Sequence, residues 1–228
     1  MKNFKIDLSI IGHAIKDQIF DGIYEPSEKW GGIYNVSRCL SLMNEKFNTK
    51  ISHDIQPSSY GEALIKIDRN SSSKEIIEVN LNKTTRIPSI KKSNWYHFCY
   101  LNEIKLSKKF FELDGIKSAD LCKGKEINNI NQFDYIFLSS EEHDARKYSF
   151  KNKNIKFISH DPEKIEIFQG GEKIDSLNLS KPIENINCLG VGDFFAGSFI
   201  YKKLCQNVND SEAIIFASEE CRKFLLSR

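Results

Sequence analysis

Short apolar runs rich in β-branched and aromatic residues alternate along this chain with segments of helical period, a pattern that points to an α/β sheet with helices on both faces. The spacing predicts strands over Ile6 to Ile11, Trp95 to Tyr100, Ile116 to Cys122, Tyr135 to Leu138, Ile155 to Ser159 and Lys164 to Phe168. Helices are expected over Asn35 to Asn44, briefly after Ser139, over Asp193 to Gln206 and over Ser211 to Leu226. The last carries Ile214, Ala217, Cys221 and Phe224 or Leu225 on one face, with Asp210 or Ser211 as its cap. Between residues 52 and 93 the texture changes. Ala63, Ile65 and Ile67 alternate, a polar turn follows at Asn70-Ser71-Ser72-Ser73, and Ile76, Ile77 and Val79 resume, which reads as a hairpin.

The 228 residues, 40% hydrophobic with 16 Phe, suffice for one sizeable core, so the expectation is a single domain over 1–228. Thirty-three basic and 31 acidic residues leave a formal charge of +2, which implies no field for nucleic acid or an anionic membrane. Six cysteines lie scattered without a Cys-x-x-Cys pair and suggest neither a zinc site nor a disulfide framework. The N-terminus lacks an unbroken apolar h-region, and no run approaches the roughly 18 apolar residues of a membrane span. The expected location is the cytoplasm.

Two glycine segments carry the chemistry. In Asn187-Cys188-Leu189-Gly190-Val191-Gly192-Asp193, two glycines precede an acid and an apolar run, so the amides of Gly190 to Asp193 can open a helix and face an anion. Asp193 would then sit where it can take a proton from an attacking hydroxyl. The same pattern also fits a tight turn capping a core helix. The second segment, Trp30-Gly31-Gly32-Ile33-Tyr34-Asn35, leads into Val36, Cys39, Leu40 and Met43 at helical spacing.

Together these segments resemble the ribokinase-like (PfkB) carbohydrate kinases, in which an N-terminal Gly-Gly-x-x-x-Asn holds the sugar and a C-terminal Asp-Thr-x-Gly-Ala-Gly-Asp carries the anion hole and catalytic aspartate. Gly31 and Asn35 fit the first, with Trp30 in place of the leading glycine; Gly190, Gly192 and Asp193 fit the second, with Asn187 and Cys188 replacing its Asp and Thr. Asp17, five residues after Gly12, falls where the family keeps a carboxylate for sugar hydroxyls. The run Asp134 to Glu142 looks like the strand leading into Asn-x-x-Glu, with Ser139 in place of the asparagine and Glu142 retained. Where the family reads Thr-x-Gly-x-x-Gly beside the nucleotide, this chain has Ser159, Asp161 and Lys164, and an acid there would repel a triphosphate unless magnesium or Lys164 offsets it.

The resemblance implies a three-layer ribokinase-like sandwich, with a mostly parallel central sheet and a reduced β lid drawn from residues around 18–30 and 60–90. It implies a catalytic set of Asp193, Gly190, Val191 and Gly192, and substrate contacts from Asp17, Gly31, Gly32 and Asn35. Ser159, Asp161, Asn187, Gly190 and Gly192 would meet the nucleotide, and Glu142 the metal, with ATP and Mg2+ as the cofactors. The expected activity is phosphorylation of a sugar or sugar-like alcohol; the altered Ser139, Asp161 and Asn187 keep open a degenerate member that binds sugar or nucleotide without efficient turnover. The sequence leaves the oligomeric state open, with a homodimer among the options because a short lid often needs a partner subunit to complete it. A Rossmann-type oxidoreductase is disfavoured, since no Gly-x-Gly-x-x-Gly follows the first strand. His97 reads as a core or sheet-face residue, and His13 as one that could reach a substrate near Asp17.

Overall fold

The computed structural model describes residues 6–22, 26–68, 70, 73–82, 90–101, 108–121, 130–140, 143–184 and 186–228. Ten strands form one sheet: β1 (Ile6–Phe20), β2 (Ser27–Trp30), β3 (His53–Asp68), β4 (Ser73–Leu81), β5 (Ser93–Phe98), β6 (Ile116–Asp120), β7 (Tyr135–Ser139), β8 (Lys156–His160), β9 (Lys164–Gln169) and β10 (Glu172–Asn178). The helices are α1 (Ile33–Phe47), α2 (Lys108–Phe111), α3 (Ala145–Lys151), α4 (Val191–Gln206) and α5 (Asp210–Leu226). The sheet order is β10-β9-β8-β7-β6-β5-β1-β3-β4, with β2 beside β1. From β8 across to β3 every neighbour is parallel, and the outer strands pair antiparallel.

Period-2 alternation distributes the strand side chains between two cores. Leu8, Ile10, Trp95, Phe137 and Ile158 face α1, α4 and α5, whereas Ile11, Tyr96, Phe98, Ile136 and Phe157 face α2 and α3. This is the three-layer α/β sandwich with a mostly parallel centre. α1 presents Ile33, Val36, Leu40 and Met43 at helical spacing, and it ends at Asn48, whose left-handed φ of 49° lets the next amide, Thr49, reach the Asn44 carbonyl at 2.9 Å. α4 is buried from Asp193 through Tyr201, as a helix enclosed between sheet and neighbours must be. Phe194 stacks on Phe224 of α5 with centroids 4.2 Å apart. No helix among the described residues is long and apolar enough to cross a membrane.

Several boundaries differ from the sequence expectation. β1 does not stop at Ile11 but runs to Phe20, through an irregularity at Gly12/His13 in its pairing with β3. The Gly12 turn signal and the acid at 17 conceal the alternation of buried Ile15, Asp17 and Ile19 with Lys16, Gln18 and Phe20. The first half of β3 is hidden because its buried side chains are polar: Gln56 bonds Ser9, and Ser58 and Ser59 bond His13 Nδ1. β10 is an edge strand of mostly exposed, polar residues and carries little apolar signal. α5 is capped by Asn209, which accepts from the Glu212 amide at 2.8 Å, whereas Asp210 turns inward to Lys156, Lys203 and the Tyr135 hydroxyl. The segment between Asp17 and Gly31 holds one short strand, β2, and the far halves of β1 and β3 join it and β4 in an extension with its own core of Ile15, Ile19, Ala63, Ile65 and Ile67. Cys122, expected to end β6, lies outside the described residues.

Candidate active site

The N-terminus of α4 is the centre of the site. Gly190 caps it in the left-handed conformation, φ 78°, and a Cβ there would come within 3.0 Å of Asn35 Nδ2, so both backbone and space require glycine. The Val191 amide bends back to the Cys188 carbonyl at 3.2 Å, and the first helical bond runs from Phe194 to Gly190 at 3.0 Å. The helix geometry leaves the amides of Gly192 and Asp193 without intrahelical acceptors. Asn187 turns its Oδ1 to the Leu189 amide at 2.9 Å, and Arg228, just beyond α5, donates to the carbonyls of Asn187 and Leu189, which fixes the loop before the cap.

Asp193, only 5% exposed, stands at the third position of α4. Asn35 Nδ2 donates to its Oδ2 at 2.8 Å and the Tyr100 hydroxyl to its Oδ1 at 3.3 Å. Burial pushes the carboxyl up to about 7, the charge of Asp120 adds to the rise, and the Asn35 bond opposes it. Tyr100 follows β5 with φ 61°, and the charge of Asp193, then burial, lifts its phenol well above the usual value, so it stays a donor.

Asp17 lies on the extended part of β1, where burial raises its carboxyl to about 6 while Lys74 of β4 opposes the shift. A Cβ at Gly31 would sit 2.0 Å from Asp17 Oδ2, so the carboxylate fills the space that a side chain would take. Gly31 donates its amide to Ile15 at 2.9 Å, and Gly32, φ 56°, begins α1, whose turn delivers Asn35 to Asp193. Five of the residues expected from separate stretches of sequence thus form two touching groups, Asp17 against Gly31, and Asn35 against both Gly190 and Asp193, while Gly32 lies against the His13 carbonyl and Gly192 against His160.

The β8–β9 turn approaches from the other side, with His160 Cε1 3.5 Å from where a Gly192 Cβ would be and its ring 5.4 Å from Phe195. Burial lowers the His160 pKa, which favours a neutral imidazole. Ser159 is buried on β8 between Leu138 and Glu166. Asp161 folds its carboxylate into its own turn, accepting from the Glu163 and Lys164 amides at 2.8 and 2.7 Å and from Ser140 at 2.9 Å. Partial burial works against its charge, but those hydrogen bonds outweigh it and hold the pKa below the usual value. Lys164 pairs with Glu166 at 3.0 Å. Glu142, assigned to metal from the sequence, lies outside the described residues. His13 is bound through Nδ1 to Ser58 and Ser59.

Tyr100, Asp120 and His160 were not assigned from sequence. Tyr100 and His160 mark the ends of parallel strands β5 and β8, and Asp120 ends β6; ligands of open α/β sheets collect at such carboxyl ends, which is the signal that finds them.

No protein-family model matches the sequence, and no curated protein is significantly similar to it. Solved structures give the fold. The chain superposes on adenosine kinase from Sinorhizobium meliloti with a TM-score of 0.68 at 12% identity, covering 96% of this chain and 93% of the other. On ribokinase from Thermotoga maritima the score is 0.67 at 16% identity, with 95% and 91% covered. On fructokinase from Vibrio cholerae O395, bound to fructose, ADP and calcium, it is 0.61 at 15% identity, with 95% and 90% covered. The chain therefore has the ribokinase-like fold, and these structural neighbours are sugar and nucleoside kinases.

Proposed function

We propose that the protein is an ATP-dependent kinase of a sugar or sugar-like alcohol, working as one domain in the cytoplasm. The observation that carries this reading is the buried Asp193 carboxyl, with a pKa of about 7, held by Asn35 and Tyr100 beside the free amides of a helix N-terminus. A group so tuned accepts a proton near neutral pH. Asp17 and Asn35 orient the acceptor; Asp193 takes the hydroxyl proton as its oxygen bonds to the γ-phosphorus, and the bond to the β-phosphate breaks to release ADP. The amides of Gly192 and Asp193, with Gly190 shaping the cap, stabilise the charge on the transferring group.

ATP and Mg2+ suit this arrangement at its anion end, where the first-turn amides of Gly192 and Asp193 lack intrahelical acceptors and the nearest atom to a Gly192 Cβ would be His160 Cε1 at 3.5 Å. ATP supplies the phosphoryl group, and the ion offsets its charge. In this reading Ser159, Asp161 and Asn187 border the nucleotide, and Glu142, outside the described residues, is assigned to the metal on the sequence resemblance alone. The extension built from β2, β4 and the far parts of β1 and β3 serves as the lid. Its exposed Trp30, Ile76, Ile77 and Val79 favour completion by a second copy of the chain.

The second reading, binding without efficient turnover, is favoured by the side chains at Ser139 and Asp161 where the resembled family keeps other residues. A thermal-shift screen of sugars and nucleosides, with and without Mg-ATP, followed by ADP release from each stabilising pair, separates the two. A ligand bound only by the native state raises the midpoint by mass action. Turnover of a stabilising alcohol supports the kinase, stabilisation without ADP release supports the binder, and no shift with any alcohol or nucleotide overturns both.

A further inference from the structure

Three side chains outside the reaction above meet at the ends of two adjoining parallel strands. His97 belongs to β5, Cys99 directly follows it, and Asp120 ends β6. The ligating atoms of the three lie within 4.8 Å of one another, with His97 and Cys99 fully buried and Asp120 8% exposed. The linear sequence hides the group, because its members sit on separate strands paired in register at His97 and Ser118.

The histidine is already oriented. Trp95 Nε1 donates to Ser118 Oγ at 2.7 Å, and that hydroxyl meets His97 Nδ1 at 2.9 Å, which leaves Nε2 directed at Asp120 Oδ2, 3.2 Å away. A hydrogen-bonded second nitrogen is the usual support of a metal-binding imidazole. The 3.2 Å separation is also close to the edge of a tetrahedral site, which for bonds of about 2.0–2.1 Å is about 3.4 Å. A sulfur ligand on bonds of about 2.3 Å needs edges near 3.6 Å, so with all three atoms within 4.8 Å of one another a thiol displacement of roughly 1–1.5 Å suffices to close the set.

We propose that His97, Cys99 and Asp120 bind one thiophilic divalent transition-metal ion of the zinc class, with a fourth position left for water. Binding places Nδ1–H of His97 against Ser118, gives Nε2 to the ion, and releases the Cys99 thiol proton to solvent while the Asp120 carboxylate replaces its bond to the ring. A sulfur ligand disfavours Mg2+, so the site is distinct from any nucleotide-bound magnesium. Tyr100, which directly follows Cys99, donates to Asp193 Oδ1 at 3.3 Å, so the ion would lie one residue from a partner of the proposed base.

The test is titration of the chelator-treated full chain with Co2+. The expected result is a thiolate-to-cobalt charge-transfer band that saturates at one equivalent, releases about one proton per ion and is displaced by Zn2+. Cys99→Ser should abolish the band, whereas Cys205→Ser, at a cysteine on α4, should leave it intact. A band that survives Cys99→Ser, or none in the wild type, overturns the proposal. Should Cys99→Ser fail to fold, anomalous diffraction from Co2+-loaded wild-type crystals decides: an ion between His97, Cys99 and Asp120 supports the site, and any other position, or none, overturns it. Neither readout depends on phosphoryl transfer, so failure here leaves the kinase reading standing, and the reverse.

Discussion

The Asp17–Asn35–Asp193 side of the site and the Ser159–Lys164 side are made by opposite means. On the first, glycines withhold side chains so that neighbours can occupy the space: Asp17 lies 2.0 Å from where a Gly31 Cβ would be, and Asn35 3.0 Å from where a Gly190 Cβ would be. On the second, a side chain builds the turn, with Asp161 holding the amides of Glu163 and Lys164 and the Ser140 hydroxyl. The difference is one of freedom. A glycine whose missing atom is replaced by a functional group cannot change without moving that group, whereas a turn can pass from glycine to a self-bonding Asp and keep its path while changing the surface it shows a ligand.

The largest effect is expected at Asp193. Asp193→Asn keeps an acceptor for Asn35 but removes the base, and kcat should fall by roughly 10²- to 10⁴-fold with little change in sugar affinity. The same variant should be more stable than wild type in mild alkali. The folded carboxyl is raised from 3.8 to about 7, so the native state binds the proton more tightly and the wild type loses stability as pH rises through that window. Urea titrations at pH 4 and pH 8 check the sign: similar midpoints are expected at the lower pH and a higher midpoint for the variant at the upper. An unchanged kcat would dissolve the contrast between the two sides.

A smaller effect tests whether the missing Cβ matters as argued. Asp17→Ala removes a buried partner and should weaken sugar binding by roughly 1 to 3 kcal/mol, and Gly31→Ala, which leaves the carboxylate but displaces it, should weaken it comparably. Mg-ATP binding should be unaffected in both. Calorimetry that finds Gly31→Ala neutral would show that Asp17 tolerates displacement.

The smallest effect belongs to the other side. Replacing Asp161 and Lys164 together with glycine removes two opposite charges, both side chains and the hydrogen bonds of the Asp161 carboxylate, while the backbone bond from the amide of residue 161 to the carbonyl of residue 164 can remain. Affinity for Mg-ATP should rise a few-fold, and Tm should fall by about 2–4 °C for each 1 kcal/mol lost from the turn. Equal affinity in the two proteins would place this turn away from the phosphates.

Sequence made the parallel core and both glycine segments legible because apolar alternation and bare backbone leave marks in the residue order. Asp193 and Asn35 could be named, although 158 positions separate them, since each lies at the start of a helix introduced by glycine. Asp161 could be located but not oriented: nothing in its neighbours shows that its carboxylate turns into the loop. Tyr100 and Asp120 left no mark, because each takes its environment from an element distant in sequence, Tyr100 from Asp193 on α4 and Asp120 from His97 on β5. The first part of β3 was missed for a related reason, since buried Gln56, Ser58 and Ser59 bond across the sheet, through Gln56 Nε2 to Ser9 and through both serine hydroxyls to His13, and look exposed in a list of residue types.

The passage of β1 and β3 without a break from the core into the extension has a mechanical consequence. A cover hung on loops swings as a separate plate, its freedom set by the entropy of the connectors. The extension here is a cantilever: two paired strands carry it, and their register shifts at Gly12/His13. Opening it means bending a hydrogen-bonded ribbon, an elastic deformation shared by both strands. Asp17 rides on the overhanging arm together with Gly31, whose amide is bonded to Ile15 beyond the shift, so a flexure there would carry the carboxylate and its glycine as one unit relative to Asp193.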